Sequence, residues 1–383
     1  MQNRQRNTAL LISLAALAIS GCASIPSDFE QIPSWTWQEP ESTQLGEFFS
    51  RYAPDDAELS GVRLLGDPKE AFQARFGFAA LAEKTLDLQY YLWKGDLAGQ
   101  LLLYRCFEAA DRGVQVRILI DDIYHSQRDI SYATIDSHPN MQIRVYNPIG
   151  TRGAGKMANF VYHKGTLNHR MHNKIFLADS AVAVLGGRNI GNDYFGVDAK
   201  LNFVDLDVLA VGPVAKEAGT AFDDYWSSPA AVPIAALATK PLEDGALASY
   251  RDNLRASLDE MHALPYTVPY EPEEIRESLE QIGRELTWAQ AEVIVDSLER
   301  FQGGSESVFV ELTDRLADEA ESEFVIQTAY LIPSKEAIAR IREVTDRGLR
   351  VRILTNSLRS TNHATVHSHY KKYRKPMIEA GAE

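Results

Sequence analysis

Two cysteines are all that 383 residues carry, and Cys22 falls in an N-terminal segment of targeting character, so a disulfide framework is excluded. Basic residues are also short: 39 Lys and Arg stand against 53 Asp and Glu, a net charge of -14. A surface that grips nucleic acid over a wide area carries a basic footprint, so nucleic acid is not expected as a partner. One locally basic pocket can still hold a small anionic head group. Long hydrophobic runs are missing too, since the apolar stretch over residues 8–20 is too short to cross a bilayer. There is no long low-complexity tract either, and with 45% hydrophobic and 24% charged residues extensive disorder is excluded. The chain has material for two medium cores.

What is present begins at the N-terminus. Arg4 and Arg6 precede the apolar stretch, which ends in Ser20-Gly21-Cys22, a pattern of a secretory signal that resembles the lipobox of bacterial lipoproteins. Residues 1–21 are then a signal peptide and Cys22 the lipidated first residue, anchored in the cell envelope. With Ala23 and not aspartate behind it, the resemblance implies the outer membrane, facing the periplasm. Residues 22–58, rich in Pro, Ser and Glu with two tryptophans, read as a tether.

The folded body is expected from Leu59. Asp67-Pro68 supplies a cap and a first-turn proline for a helix over 69–83. A buried strand over 86–93, a helix over 100–112 closed by Gly113, and a strand over 115–120 ending at Asp121 and Asp122 follow. Strand, helix, strand in this order predicts an α/β architecture with a mixed sheet flanked by helices. Ala109-Ala110-Asp111-Arg112-Gly113-Val114-Gln115-Val116-Arg117-Ile118-Leu119 aligns with Val344-Thr345-Asp346-Arg347-Gly348-Leu349-Arg350-Val351-Arg352-Ile353-Leu354. Leu88-Gln89-Tyr90-Tyr91-Leu92 matches Ile326 to Leu331 with one residue inserted. A repeat of this length predicts two similar lobes, over 59–228 and 306–383, with 229–305 a solvated connector in which no chemistry is visible.

The chemistry concentrates in His172-Asn173-Lys174-Ile175-Phe176-Leu177-Ala178-Asp179, followed by Gly186-Gly187-Arg188-Asn189. On a strand, His172 and Lys174, two residues apart, point to one face and converge on one phosphate. A neutral imidazole can attack phosphorus in a diester, and Lys174 offsets charge on the non-bridging oxygens, with no metal or cofactor required. Asp179 can orient the loop or a neighbouring ring. Gly186 and Gly187 let backbone approach a phosphate, and Asn189 offers an amide donor. Asp205 is the candidate to fix the other nitrogen of His172, with Asp207 competing for that role. Arg152, Lys156, His163, Lys164, His169 and Arg170 form a basic run that serves either as a phosphate-collecting rim or as a solvated loop.

The segment from His169 to Phe195, with Asp205 to Gly212 after it, resembles the phospholipase D superfamily, and within it the bacterial cardiolipin synthase C group. That resemblance implies two phospholipase D-like lobes, each giving one H-x-K-x4-D to a shared site, with one histidine as nucleophile and the other as general acid. It also implies phosphatidyl transfer between phospholipids, with hydrolysis as the alternative. The repeat offset of 235 between Ala109 and Val344 carries His172 to about position 407. The sequence stops at Glu383, so the second lobe reads as incomplete, and His363, His367 and His369 read as loop and helix residues without a catalytic role. On its own this stretch is expected to turn over little unless two copies pair their single motifs. A lipid-binding envelope lipoprotein without catalysis is the remaining reading.

Overall fold

In the computed structural model, residues 28–125, 128–149, 170–296, 298, 307–362 and 364–383 are described. Signal peptide, Cys22, Ala23, His363 and the basic residues Arg152, Lys156, His163, Lys164 and His169 lie outside them. The chain divides into two units, Met1–Val293 and Ile294–Glu383.

The first unit is built on a nine-stranded sheet in the order β8-β4-β3-β2-β5-β6-β7-β1-β9. Its strands are β1 (Ser60–Leu65), β2 (Thr85–Tyr90), β3 (Gln115–Asp121), β4 (Met141–Tyr146), β5 (Ile175–Ala178), β6 (Val182–Gly186), β7 (Asp207–Val211), β8 (Ala231–Pro233) and β9 (Thr287–Ala289). β2, β3 and β4 run parallel, and β5, β6, β7 and β1 alternate in antiparallel fashion beside them. All six residues of β2 are buried, as expected of a central strand covered on both faces.

Local sequence sets the helices. Asp67 accepts from the Lys69 N–H at 2.7 Å and Pro68 opens α2 (Pro68–Leu81), which follows the short α1 (Gln44–Ser50). Asp96 accepts from the Gly99 N–H at the start of α3 (Leu97–Asp111). Gly113 then turns the chain at φ +97°, a conformation glycine takes without strain. After α4 (Asp129–Asp136), the opposite face of the sheet is covered by α5 (Pro213–Trp226). A Cβ on Gly219 of α5 would sit 3.3 Å from Leu177 of β5, so glycine allows this helix to lie close on the strand.

Two expected boundaries move. Residues 28–58 are not a free tether. Arg117 donates to the Ser34 carbonyl at 2.8 Å, Arg144 to that of Ile32 at 2.7 Å, and Thr36 donates to Asp223 through both its N–H and its hydroxyl. Leu45 and Phe49 enter the core. The polar composition that reads as a linker is the means by which an extended strap pairs with buried arginines. Nor is 229–305 merely solvated, because it supplies both edge strands, β8 against β4 and β9 against β1. Between them come α6 (Ala246–Asp259) and α7 (Pro272–Arg284). The acidic helix α7 turns Ile275 and Leu279 inward, and Gly77 of α2 leaves room for Ile275, whose Cγ2 would lie 2.9 Å from an added Cβ. Tyr270 closes this segment down over Arg105 and Phe76, with the Arg105 guanidinium 3.8 Å from the Tyr270 ring centre.

The second unit holds a parallel pair, β10 (Glu323–Thr328) and β11 (Arg350–Thr355), with α8 (Val308–Glu319), α9 (Lys335–Asp346) and α10 (Ala364–Glu379). The repeated Asp-Arg-Gly does the same work in both units. Arg112 donates to the carbonyls of Ala79, Ala80 and Ala82 at the end of α2, and Arg347 donates to those of Ala317, Asp318 and Ala320 at the end of α8. Each arginine satisfies carbonyls that a helix leaves without partners. Gly348 repeats the left-handed turn at φ +89°. His367 and His369 sit on α10.

Candidate active site

His172 and Lys174 lie just ahead of β5, which begins at Ile175, so the motif opens on an extended lead-in and not within the strand itself. β5 runs antiparallel to β2, and this brings the motif to the carboxyl ends of β2 and β3, the end of an α/β sheet where ligands are usually taken up. The two side chains converge as their spacing predicts. The Lys174 ammonium donates to Nδ1 of His172 at 2.6 Å and to the His172 carbonyl at 2.6 Å. Tyr91, the residue after β2, packs its ring 4.6 Å from the imidazole centre, and Tyr124 meets Tyr91 edge-on at 5.5 Å.

Burial and the neighbouring ammonium push the His172 pKa down to about 4, so the ring is neutral near pH 7. Lys174 falls to about 8, mainly by burial, against the attraction of Asp205 and Asp207, so it stays largely charged at neutrality. With an ammonium on Nδ1, the neutral ring carries its proton on Nε2. Attack from Nε2 therefore requires the proton to move to Nδ1 and Lys174 to turn toward the phosphate oxygens.

Asp179 is not with them. It stands beyond the far end of β5, roughly 15 Å along an extended chain. There it is buried, adopts φ +54°, and accepts from the backbone N–H groups of Glu83, Lys84 and Thr85 at 2.7 to 3.1 Å. It pins the turn from α2 into β2 and cannot reach a phosphate held at His172, which corrects the expectation that it shares the catalytic site.

The glycines also act through packing. A Cβ on Gly186 would lie 2.6 Å from the Leu206 carbonyl oxygen, and one on Gly187 2.0 Å from the Asp205 carboxylate. Glycine is required here because the chain ahead of β7 comes so close, which is a different reason from approach to a ligand. Asn189 is buried and committed, accepting from the Leu92 N–H and donating to the Tyr194 hydroxyl, both at 3.0 Å. Asp205 accepts from the Leu206 N–H and acts electrostatically on Lys174, and no hydrogen bond joins it to His172 among the described residues. Asp207 is buried between Arg75, at 2.9 Å, and Arg188, at 3.4 Å. Among the described residues no group of three or more His, Cys, Asp or Glu could hold a metal ion.

Sequence reasoning left out Tyr91, Tyr124 and the partnership of Asp121 with Arg170. The Arg170 Nε donates to the Asp121 carboxylate at 2.9 Å, and both terminal nitrogens donate to the Asn147 carbonyl. Arg170 is therefore locked in place and is not a loose rim cation. The paired acids closing β3 were the available signal, since carboxylates at the carboxyl end of a buried strand need partners.

Residues 79–226 and 314–383 match the family model described as cardiolipin synthase, PLD-like domain. The chain belongs to this phospholipase D-like family. Both units of the phospholipase D-like chain contribute to the match. Cardiolipin synthase C of Escherichia coli strain K12 is 34% identical over 318 residues, covering 82% of this chain and 66% of that protein. The chain thus spans about two thirds of the length of that relative. An uncharacterised Helicobacter pylori protein (strain ATCC 700392 / 26695) is 27% identical over 376 residues, 97% of this chain and 74% of its own length. Among solved structures, phosphatidylserine synthase of Haemophilus influenzae Rd KW20 aligns with 80% of this chain and 65% of that one, at 18% identity and a TM-score of 0.49.

Proposed function

We propose that this protein transfers phosphatidyl groups between phospholipids through a phosphohistidine on His172, as a cardiolipin synthase does. The observation that carries the proposal is the contact of a neutral, solvent-accessible His172 with the buried, cationic Lys174 at the carboxyl end of the sheet. An accessible imidazole kept neutral by partial desolvation and the neighbouring ammonium is a nucleophile at pH 7, and a lysine beside it favours the charge that builds on the phosphoryl oxygens. Nε2 forms a bond to phosphorus as the bond to the donor's head-group alcohol breaks, and the departing oxygen takes a proton from a general acid, the role that the family resemblance gives to the histidine of a second motif. The hydroxyl of a second phospholipid then gives its proton back to that same group, bonds to phosphorus and breaks the bond to Nε2, releasing the histidine. Similarity to cardiolipin synthase C, 34% over 318 residues, supports a phospholipid as the acceptor.

The N-terminal lipobox-like sequence supports an envelope lipoprotein held through an acyl group on Cys22. Among the described residues no helix is long and apolar enough to cross a membrane. Phospholipids are then the partners, and the acidic body makes nucleic acid unsuitable.

The test is labelled phosphatidylglycerol or phosphatidylethanolamine in mixed vesicles with the full-length protein. Cardiolipin as the labelled product, with an acid-labile, base-stable phosphoenzyme mapped to His172, supports the reading. Accumulation of phosphatidic acid instead assigns water as the acceptor, and vesicle binding without turnover or phosphoenzyme assigns a lipid-binding role.

A further inference from the structure

The proposed chemistry has no use for Asp121, yet this carboxylate is fully buried and accepts from both of the residues that lead into the motif. One oxygen accepts from the Arg170 Nε at 2.9 Å and from the Ile123 N–H at 2.9 Å. The other accepts from the Met171 N–H at 3.0 Å and from Arg170 Nε at 3.1 Å. Arg170 and Met171 are the two residues directly before His172. The Arg170 guanidinium continues to the Asn147 carbonyl, just past β4, with two bonds of 3.0 Å. Met171 is itself fully buried.

Residues 170–174 belong to no strand, so no ladder of sheet hydrogen bonds sets the height of His172 over the site. The Asp121 carboxylate replaces that ladder. It ties the end of β3 to the lead-in of β5, while Arg170 extends the tie to the chain beyond β4. His125 holds Asp121 from behind, its Nδ1 donating to the Asp121 carbonyl at 2.8 Å while its Nε2 accepts from the Trp93 N–H at 3.2 Å.

We propose that Asp121, acting through Arg170 and Met171, is a positioning residue that holds the His172 imidazole at its attacking height. This rests on the reading of His172 as the nucleophile. Displacement of a reacting atom by about an ångström costs on the order of a hundredfold in rate, so the effect falls on kcat more than on KM.

The experiment compares full-length protein with Asp121→Asn, Asp121→Glu and Arg170→Gln in phosphatidylglycerol vesicles. Asp121→Asn and Arg170→Gln are expected to lower kcat about ten- to hundredfold with KM within about threefold, and Asp121→Glu to recover part of the loss. Unchanged kcat in both variants, or a raised KM at unchanged kcat, overturns the proposal. If Asp121→Asn does not fold, Arg170→Gln breaks the same tie from its outer side and decides alone. If the intact protein neither turns over nor forms a phosphoenzyme, the proposed function fails. The positioning role is then read from the His172 ring by ¹³C NMR titration. A rise of about one pKa unit in either variant upholds it, and an unmoved titration overturns it.

Discussion

The two ends of β5 carry the two halves of one motif, and they do different things with the same physics. At the leading end, partial desolvation and the Lys174 ammonium keep the accessible His172 neutral while burial lowers Lys174 to about 8, leaving two reactive groups in contact at 2.6 Å. At the trailing end, burial acts on Asp179, raising its pKa, but three backbone N–H groups converge on the carboxylate and oppose that rise. A buried polar group whose neighbours satisfy it is structure. One whose partner can be exchanged for a substrate oxygen is chemistry.

That contrast can be broken by substitution. His172→Ala is expected to abolish phosphoenzyme and lower turnover by about 10⁴ or more, with the melting temperature little changed. Asp179→Ala is expected to do the reverse. Three N–H groups lose their acceptor, at a cost of about 3 kcal/mol seen in denaturant melts, while the folded fraction keeps its kcat. Loss of kcat at intact stability would return Asp179 to the active site. Gly186→Ala drives a methyl into the Leu206 carbonyl and is expected to cost about 1–3 kcal/mol. Its lead into the site makes a smaller loss of turnover part of the same measurement.

The smallest effect is in pH. With Lys174 near 8, kcat/KM is expected to fall about tenfold per pH unit above that value as the ammonium is lost. On the acid side, Asp121 is raised to about 6 by burial, against Arg170 and the N–H groups it accepts from. Protonation below that pH removes the charge that holds Arg170, so turnover should decline before His172, near 4, takes up its own proton. A flat profile from pH 5 to 9 would sink both assignments.

Much of this was legible in one dimension. Asp67-Pro68 marked the start of α2, Gly113 and Gly348 marked the two left-handed turns, and the shared Asp-Arg-Gly marked two equivalent helix ends. His172 and Lys174 do meet, Nζ to Nδ1, but neither belongs to a strand, so the strand alternation expected of them is not what brings them together. Misread segments share a cause. Residues 28–58 and 229–289 have polar or acidic compositions, and their value to the fold lies in partners far along the chain: Asp223 for Thr36, Arg117 for Ser34, Gly77 for Ile275, and β1 for β9.

Short-range chemistry was therefore determined by the sequence itself: turn residues, caps, and the juxtaposition of a histidine and a lysine two positions apart depend only on local backbone geometry. The tertiary structure alone decided which carboxylate serves which end of the site. Asp179 is five residues from Lys174 and out of reach, whereas Asp121, some fifty residues from His172, holds its lead-in. A strand carries its neighbours in sequence away from each other at roughly 3.3 Å per residue, and a sheet brings distant residues within hydrogen-bonding distance across adjacent strands.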